Sequence, residues 1–332
     1  MPFSHHSHSG QFCSHAKDQL DQTIRRAIEL QMHTFCLTEH MARGREDFYP
    51  EEIDQNLTEE DLVATVKSYF QVAQTLREKY GSQINMPIGF EGEWIQSSTL
   101  PLIQKALEEY PVEFFIGSIH HTLSIPIDFD RATYETARAR AGGTDELLFG
   151  AYFDEQFDML NAVKPPIVGH FDLIRLFSDH PNESMKRFPT VWDKALRNLR
   201  FIAAYGGILE LNSSSLRKGM NEPYPKADLC QDFLTMGGRF CLSDDSHGTA
   251  QVGLNYHRVL SFIEKTGIQE VYYLEHIPSL PETGSRDMTP ASSKASMTSL
   301  EQFQFDSRFP NTALRRIDLA TLKAEPFWKH FS

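Results

Sequence analysis

Four imidazoles fall within the first fifteen residues, His5, His6, His8 and His15. Side chains alternate across an extended strand, so His6 and His8 point to one side and can present both rings to a single ion. His15 follows a Gly-containing loop long enough to fold back towards them. An expression tag would give the same letters, but tags are usually uninterrupted histidine runs, and here serines alternate with histidines and the segment runs into a helical pattern. Taken alone, the His-x-His pair reads equally as a metal site or as an accident. Further along the chain come Glu39-His40, Glu91-Gly-Glu93, His120-His121, Gly169-His170 with Asp172 and Arg175, Arg217-Lys218, and Asp244-Asp245-Ser-His247. Imidazole combined with carboxylate suits Zn, Fe or Mn better than Ca or Mg, and one carboxylate can bridge two cations through its two oxygens. On an extended chain His5 and His121 point away from their ligand-like neighbours, which leaves them packing roles or roles in supporting the ligands from behind. His33, His180, His257, His276 and His330 match no motif and read as ordinary core or surface histidines.

These side chains need elements to position them. Strand-like runs alternate with helical ones, which predicts β-α units and a parallel sheet. The spacing predicts strands at the N-terminus and over 34–38, 84–90, 112–119, 166–170, 207–212, 239–243 and 270–274. Helices are expected between them, for example one starting at Thr58-Glu-Glu-Asp61 with acids over the positive end of its dipole and stopping at Gly81. Metal-capable side chains then end successive strands, at His6 and His8, His40, Glu91, His120, His170, and Asp245 with His247. In a closed parallel barrel such ends converge on one face, where active sites are built.

Composition narrows the function. The chain has 332 residues, 40% hydrophobic and 23% charged, which fits a soluble protein of one large domain or two smaller ones. A formal charge of -13 repels phosphate backbones, so a small-molecule substrate is expected and a nucleic-acid partner is not. Cys13, Cys36, Cys230 and Cys241 lack paired short spacing, no signal-peptide pattern precedes them, and no apolar run reaches eighteen residues, so a reduced, cytoplasmic protein without membrane association is expected. Cys36 and Cys241 sit in apolar runs and read as small buried hydrophobes. Residues 1–275 form the catalytic unit in this reading. Within 276–332, Ser279–Ser299 reads as a mobile linker, and the aromatic end with Phe303, Phe305, Phe309, Phe327 and Trp328 is expected to pack on the barrel or on a partner. Oligomeric state is not readable.

The motifs His6-Ser-His8 with His15, Leu37-Thr-Glu39-His40, Gly89-Phe-Glu91, Gly117-Ser-Ile-His120, Gly169-His170-Phe-Asp172-Leu-Ile, Leu209-Glu-Leu-Asn212 and Ser243-Asp-Asp245-Ser-His247 occur in this order. Over residues 1 to about 275 the chain resembles the polymerase and histidinol phosphatase (PHP) superfamily of metal-dependent phosphoesterases, and within it the fungal-type histidinol-phosphatases. The resemblance implies a distorted (β/α)7 TIM-like barrel, leaving the eighth strand-like run outside it. It also implies three divalent ions. His6, His8, Glu91 and Asp245 would hold the first, Glu91, His120 and His170 the second, and His15, His40 and His247 the third. The implied reaction is hydrolysis of a small phosphorylated amino alcohol, L-histidinol phosphate. A hydroxide held between cations would attack phosphorus, its pKa lowered from about 15.7 towards about 7. Glu91 and Asp245 would be catalytic through the ions they hold. The resemblance places a phosphate-binding arginine at Arg217. Arg175 reads as a second member of the clamp or as a solvated charge, with Lys218 and Arg43 behind them. The cationic amine and imidazole of histidinol call for acids, with Glu93, Asp172 and Asp244 as candidates, although Asp172 could equally orient His170. A phosphodiesterase or exonuclease of the superfamily would need a basic groove, at odds with the net charge. A non-catalytic metal-binding regulator would not need every motif position to keep a metal-capable group. A metal-dependent amidohydrolase also opens on His-x-His, but its pattern leaves His15, Glu91 and Asp245-x-His247 unexplained.

Overall fold

The structure, a computed structural model, describes residues 2–277 and 305–331. Five strands, β3 (Gly89–Glu93), β4 (Phe114–Ser118), β5 (Ile167–Val168), β6 (Ile208–Asn212) and β7 (Arg239–Ser243), lie side by side and parallel in chain order. β1 (Phe3–Ser4) pairs in parallel with β2 (Thr34–Phe35). Single bridges continue the linkage, with Leu37 opposite Ile88 and His40 opposite Glu91. On the other side Ser7 lies opposite Ser246, and the His5 N–H donates to the Leu242 carbonyl. Backbone pairing therefore runs from β1 through β7 and returns to β1.

The helices follow the apolar spacing of the sequence. In α1 (Leu20–Glu29) the buried stripe is Leu20, Ile24 and Ala27. α2 (Glu59–Tyr80) starts at Thr58, whose hydroxyl accepts the Asp61 N–H while the Asp61 carboxylate accepts the Thr58 N–H, a reciprocal cap. α3 (Leu100–Glu109), α4 (Arg131–Ala141), α5 (Asp145–Val163), α6 (Pro189–Tyr205), α7 (Ala227–Thr235) and α8 (Tyr256–Thr266) alternate with the strands, α4 and α5 together filling one crossover. Five ladders are shorter than the sequence predicts, namely those at 34–38, 112–119, 166–170, 207–212 (by one residue) and 84–90. The last ladder is also displaced, since β3 runs on to Glu93 and so puts Glu91 and Glu93 on one side of the strand.

The run at 270–274 is a strand, β8 (Glu270–His276), but it stays out of the parallel sheet. It pairs antiparallel with β9 (Thr312–Asp318), from Glu270 opposite Asp318 to His276 opposite Thr312. Its Tyr272 and Leu274, with Leu314 of β9, pack on Cys36, Phe114, Ile116, Ile167, Ile208 and Cys241, a core separate from the main one. Phe309 lies against Phe115, and Phe327 packs beside Tyr256 just after α9 (Leu319–Ala324). Arg308 donates to the carbonyls of Val163 and Lys164 at the end of α5. The expected linker at Ser279–Ser299 and the aromatic Phe303 lie outside the described residues. Among the described residues no helix is long and apolar enough to cross a membrane.

Candidate metal centre

The pleat of β3 places the Glu91 carboxylate, 1% exposed, at the middle of the strand ends. Its two oxygens face two different groups of imidazoles. Oε2 lies 3.2 Å from His6 Nε2 and 3.4 Å from His8 Nε2, and those nitrogens are 3.8 and 3.7 Å from Asp245 Oδ1. Oε1 lies 3.3 Å from His120 Nε2 and 3.1 Å from His170 Nε2, with the two imidazoles 3.0 Å apart. Donors about 2.1 Å from a tetrahedral ion stand about 3.4 Å from one another, so both sets fit a transition-metal ion bridged by Glu91. A third set gathers at the rim. The Gly10 turn brings the chain back, with the Lys17 N–H bonded to the His247 carbonyl, so that His15 meets His40 and His247 with ring centroids 5.7 and 5.1 Å away.

Partners behind the ligands fix their ring orientation. Glu210 accepts from His6 Nδ1 at 2.7 Å, and Glu93 accepts from His120 Nδ1 at 3.0 Å. The Asp245 carbonyl accepts from His247 Nδ1 at 3.0 Å. Each bond leaves Nε2 as the nitrogen available to an ion. By contrast, His6 Nε2 and both ring nitrogens of His8 and of His40 are buried with no hydrogen bond. Burial alone would push the Glu91 carboxyl up, yet His6 and His120 hold it well below the usual carboxylate range. Asp245 behaves likewise, burial being overcome by His6, His247 and His8. The site is therefore preset with anionic carboxylates among imidazoles, as divalent cations require.

A cavity of about 560 Å³ opens over this floor. Arg217 and Lys218, from the helical turn after β6, line it. Among the described residues the Arg217 guanidinium reaches only the Asp245 carbonyl, at 3.4 and 3.5 Å. Glu51, Asp128 and the rings of Tyr49 and Phe129 line the same cavity. Asp128 Oδ1 is buried and accepts no hydrogen bond among the described residues.

Several expected substrate groups are elsewhere. Arg175 is 1% exposed and spends its guanidinium on Asp172, on the carbonyls of Pro181, Glu222 and Pro223, and on the face of Tyr224. It ties loops together and does not line the cavity. Arg43 is likewise buried, bridging Glu93 and Glu52 under Tyr49. Glu93 and Asp172 are thereby consumed as ion-pair partners and do not face the cavity. Asp172 makes no bond to His170 but accepts from Arg175 and the Lys226 N–H. Asp244 is enclosed by the Ser4 hydroxyl and the Gly253 N–H. His5 donates to Leu242 and accepts from the Leu274 N–H, away from the centre, and His121 packs against Tyr49.

Glu210 was not singled out in the sequence, though its place in the alternating Leu209-Glu-Leu-Asn212 strand was a signal. One face of β6 carries Glu210 and Asn212 together, and the Asn212 amide donates to Glu210. Asp128 and Glu51 gave no such signal, because loop acids are common and only the fold aims them.

Residues 4–214 match the PHP domain model. A protein of Schizosaccharomyces pombe named "Probable histidinol-phosphatase" is 41% identical over 291 residues, covering 87% of this chain and 94% of its own. The histidinol-phosphatase of Saccharomyces cerevisiae is 35% identical over 314 residues, covering 85% and 92%. A histidinol phosphate phosphatase of Lactococcus lactis, solved with zinc, L-histidinol and phosphate, superposes with a TM-score of 0.62 at 20% identity, over 82% of this chain and 95% of that one.

Proposed function

Because the chain belongs to the PHP-domain family, we propose that it is a metal-dependent phosphomonoesterase releasing phosphate from L-histidinol phosphate. The observation that carries the substrate is the mixed lining of one cavity: metal-capable floor, two cations, two acids and two aromatic rings. A phosphate ester that also bears an ammonium group and an imidazole needs all of these. Arg217, lacking a carboxylate partner among the described residues, is set to grip phosphoryl oxygens, with Lys218 beside it. Asp128 and Glu51 would take the ammonium and the imidazole N–H. The Tyr49 and Phe129 rings, 6.3 Å apart, offer flat apolar faces to the heterocycle.

Bound at the donor sets of Glu91, the ions would supply Lewis acidity, acidifying water and withdrawing charge from the phosphoryl group. Glu210 and Glu93 keep the imidazoles oriented, and the enclosed floor limits water around the reacting phosphorus. We read residues 1–275 as a distorted (β/α)7 barrel, supported by the return of pairing from β7 to β1, and 276–332 as an extension packed on it through β9. Three ions, cytoplasmic location and lack of nucleic-acid binding belong to the same reading.

Purified protein loaded with Zn or Mn should be offered L-histidinol phosphate, p-nitrophenyl phosphate, a bis-aryl phosphodiester and single-stranded DNA. The highest kcat/KM is expected for histidinol phosphate. Preference for the diester or DNA would overturn the assignment in favour of a phosphodiesterase.

A further inference from the structure

Within the rim cluster, Cys13 Sγ lies 3.2 Å from His15 Nε2. Ligand atoms of Cys13, His15, His40 and His247 all fall within 4.8 Å of one another. Cys13 is 5% exposed, whereas the His15 ring stands half in solvent. Its position is set by the backbone, since the Cys13 N–H bonds to the Ser9 carbonyl and its own carbonyl accepts from Ala16. The three imidazoles already have their Nδ1 atoms turned elsewhere: His15 towards Glu51 at 3.3 Å, His40 towards Glu91 at 3.1 Å, and His247 onto the Asp245 carbonyl. His40 Nε2 is buried and has no hydrogen bond among the described residues, so that ring too keeps a nitrogen open to an ion.

We propose that Cys13 is a fourth protein ligand of the rim metal site, giving that ion one thiolate and three imidazoles. The inference rests on the reading of this cluster as the third metal site of the phosphatase. A tetrahedral ion with Zn–S about 2.3 Å and Zn–N about 2.05 Å separates sulfur and nitrogen by about 3.6 Å, close to what Cys13 and His15 show. The chemistry follows from the donor count. Sites with four protein donors are closed, whereas sites that activate water keep a position open. The rim ion is thus a structural one that ties the 9–18 loop to the 245–247 loop, and the water chemistry falls to the two ions of Glu91. A thiolate also biases this position towards zinc and away from manganese, which prefers oxygen donors. The other cysteines cannot substitute. Cys36 and Cys241 lie in the apolar core, and Cys230 bonds to the Pro225 carbonyl.

The test is loading metal-free full-length protein with Co(II) while counting bound ions by elemental analysis. We expect three ions and a thiolate-to-cobalt charge-transfer absorption in the near ultraviolet. Cys13→Ser should lose that absorption and bind its third ion on the order of 10-fold more weakly or worse, the loss seen even for partners one shell out. Three ions without the absorption, or an absorption that survives in Cys13→Ser, would overturn the role of Cys13 and leave the metal reading standing. Fewer than three ions in the wild type would overturn both. Should Cys13→Ser fail to fold, iodoacetamide labelling of the wild type decides: zinc must protect Cys13 from alkylation, and equal labelling with and without zinc refutes ligation.

Discussion

Glu91 does its work through geometry that a strand imposes, and the residue that makes this geometry reproducible is Glu210. Its carboxylate, fully buried, takes the Nδ1 proton of His6 and the backbone N–H of His170, so it orients one proposed ligand on each side of Glu91. Glu210→Gln should weaken metal binding by about 10–100-fold with the fold intact, read by titration with a chelator-buffered metal alongside circular dichroism; unchanged affinity would remove Glu210 from the site. The two arginines after strand ends make opposite predictions. Arg217→Ala should raise KM for histidinol phosphate and leave the melting temperature in place. Arg175→Ala breaks a buried ion pair and strands three carbonyls, so it should cost about 3–5 kcal/mol of stability in a denaturant titration; a KM effect without loss of stability would return it to the clamp. Asp128→Asn should raise KM for histidinol phosphate several-fold more than for p-nitrophenyl phosphate, which has no cation to bind, and equal effects on both would remove it from the amine subsite. The contrast between the arginines marks the limit of the sequence. His6-x-His8 and Asp245-x-His247 are legible because spacing within a strand end dictates what they face. Whether Arg175 or Arg43 is free depends on residues tens of positions away, such as Glu222 and Glu93, whose approach no local pattern encodes.

At the scale of elements, the helices and the strand at 239–243 were legible and most other strand limits were not. Thr58 and Asp130 cap α2 and α4 by accepting N–H groups three residues on, and Gly142 ends α4 in the left-handed region with φ 117°, all local chemistry. Strands such as β2 and β5 are two-residue ladders, β2 being continued by the single bridges at Leu37 and His40, so their extent is set by neighbours and not by their own apolar runs. The loop after β4 carries Asp128 and Phe129 to the cavity, and α5 holds it: Glu155 accepts the N–H of Leu123, a residue at φ 55°. The other Glu155 oxygen is buried without a partner, and burial pushes this carboxyl up to about 7, reinforced by Asp158 and Asp154 and opposed by the Leu123 bond. The folded state therefore holds this proton more tightly than the unfolded chain. Between the ordinary glutamate value and about 7 the native form carries the extra proton, so stability falls as pH rises through that window. Glu155→Gln keeps an acceptor for Leu123 and removes the titration. Melting temperatures taken from pH 4.5 to 7.5 should decline less steeply in the variant, with a gain at the neutral end; parallel curves would show that Glu155 titrates normally.

At the scale of the whole molecule, every metal-capable residue of the centre lies at or before His247, yet the chain invests in an antiparallel hairpin beyond it. The reason is the core of Cys36, Phe114, Ile116, Ile167, Ile208 and Cys241, which the parallel strands leave open and which Tyr272, Leu274 and Leu314 cover. β9 also shields the edge of β8, whose backbone would otherwise be a template for pairing with another chain. A chain ending at His276 should accordingly melt lower and aggregate by that edge, even though it keeps all ten proposed ligands. The milder Leu314→Ala, at a side chain 1% exposed, should cost about 2–4 kcal/mol while leaving KM and the bound metal count unchanged. Calorimetry and light scattering on both variants separate the possibilities. If truncation leaves the melting temperature where it was, residues after His276 do not close the core, and the extension must be explained by something other than the stability of the phosphatase unit.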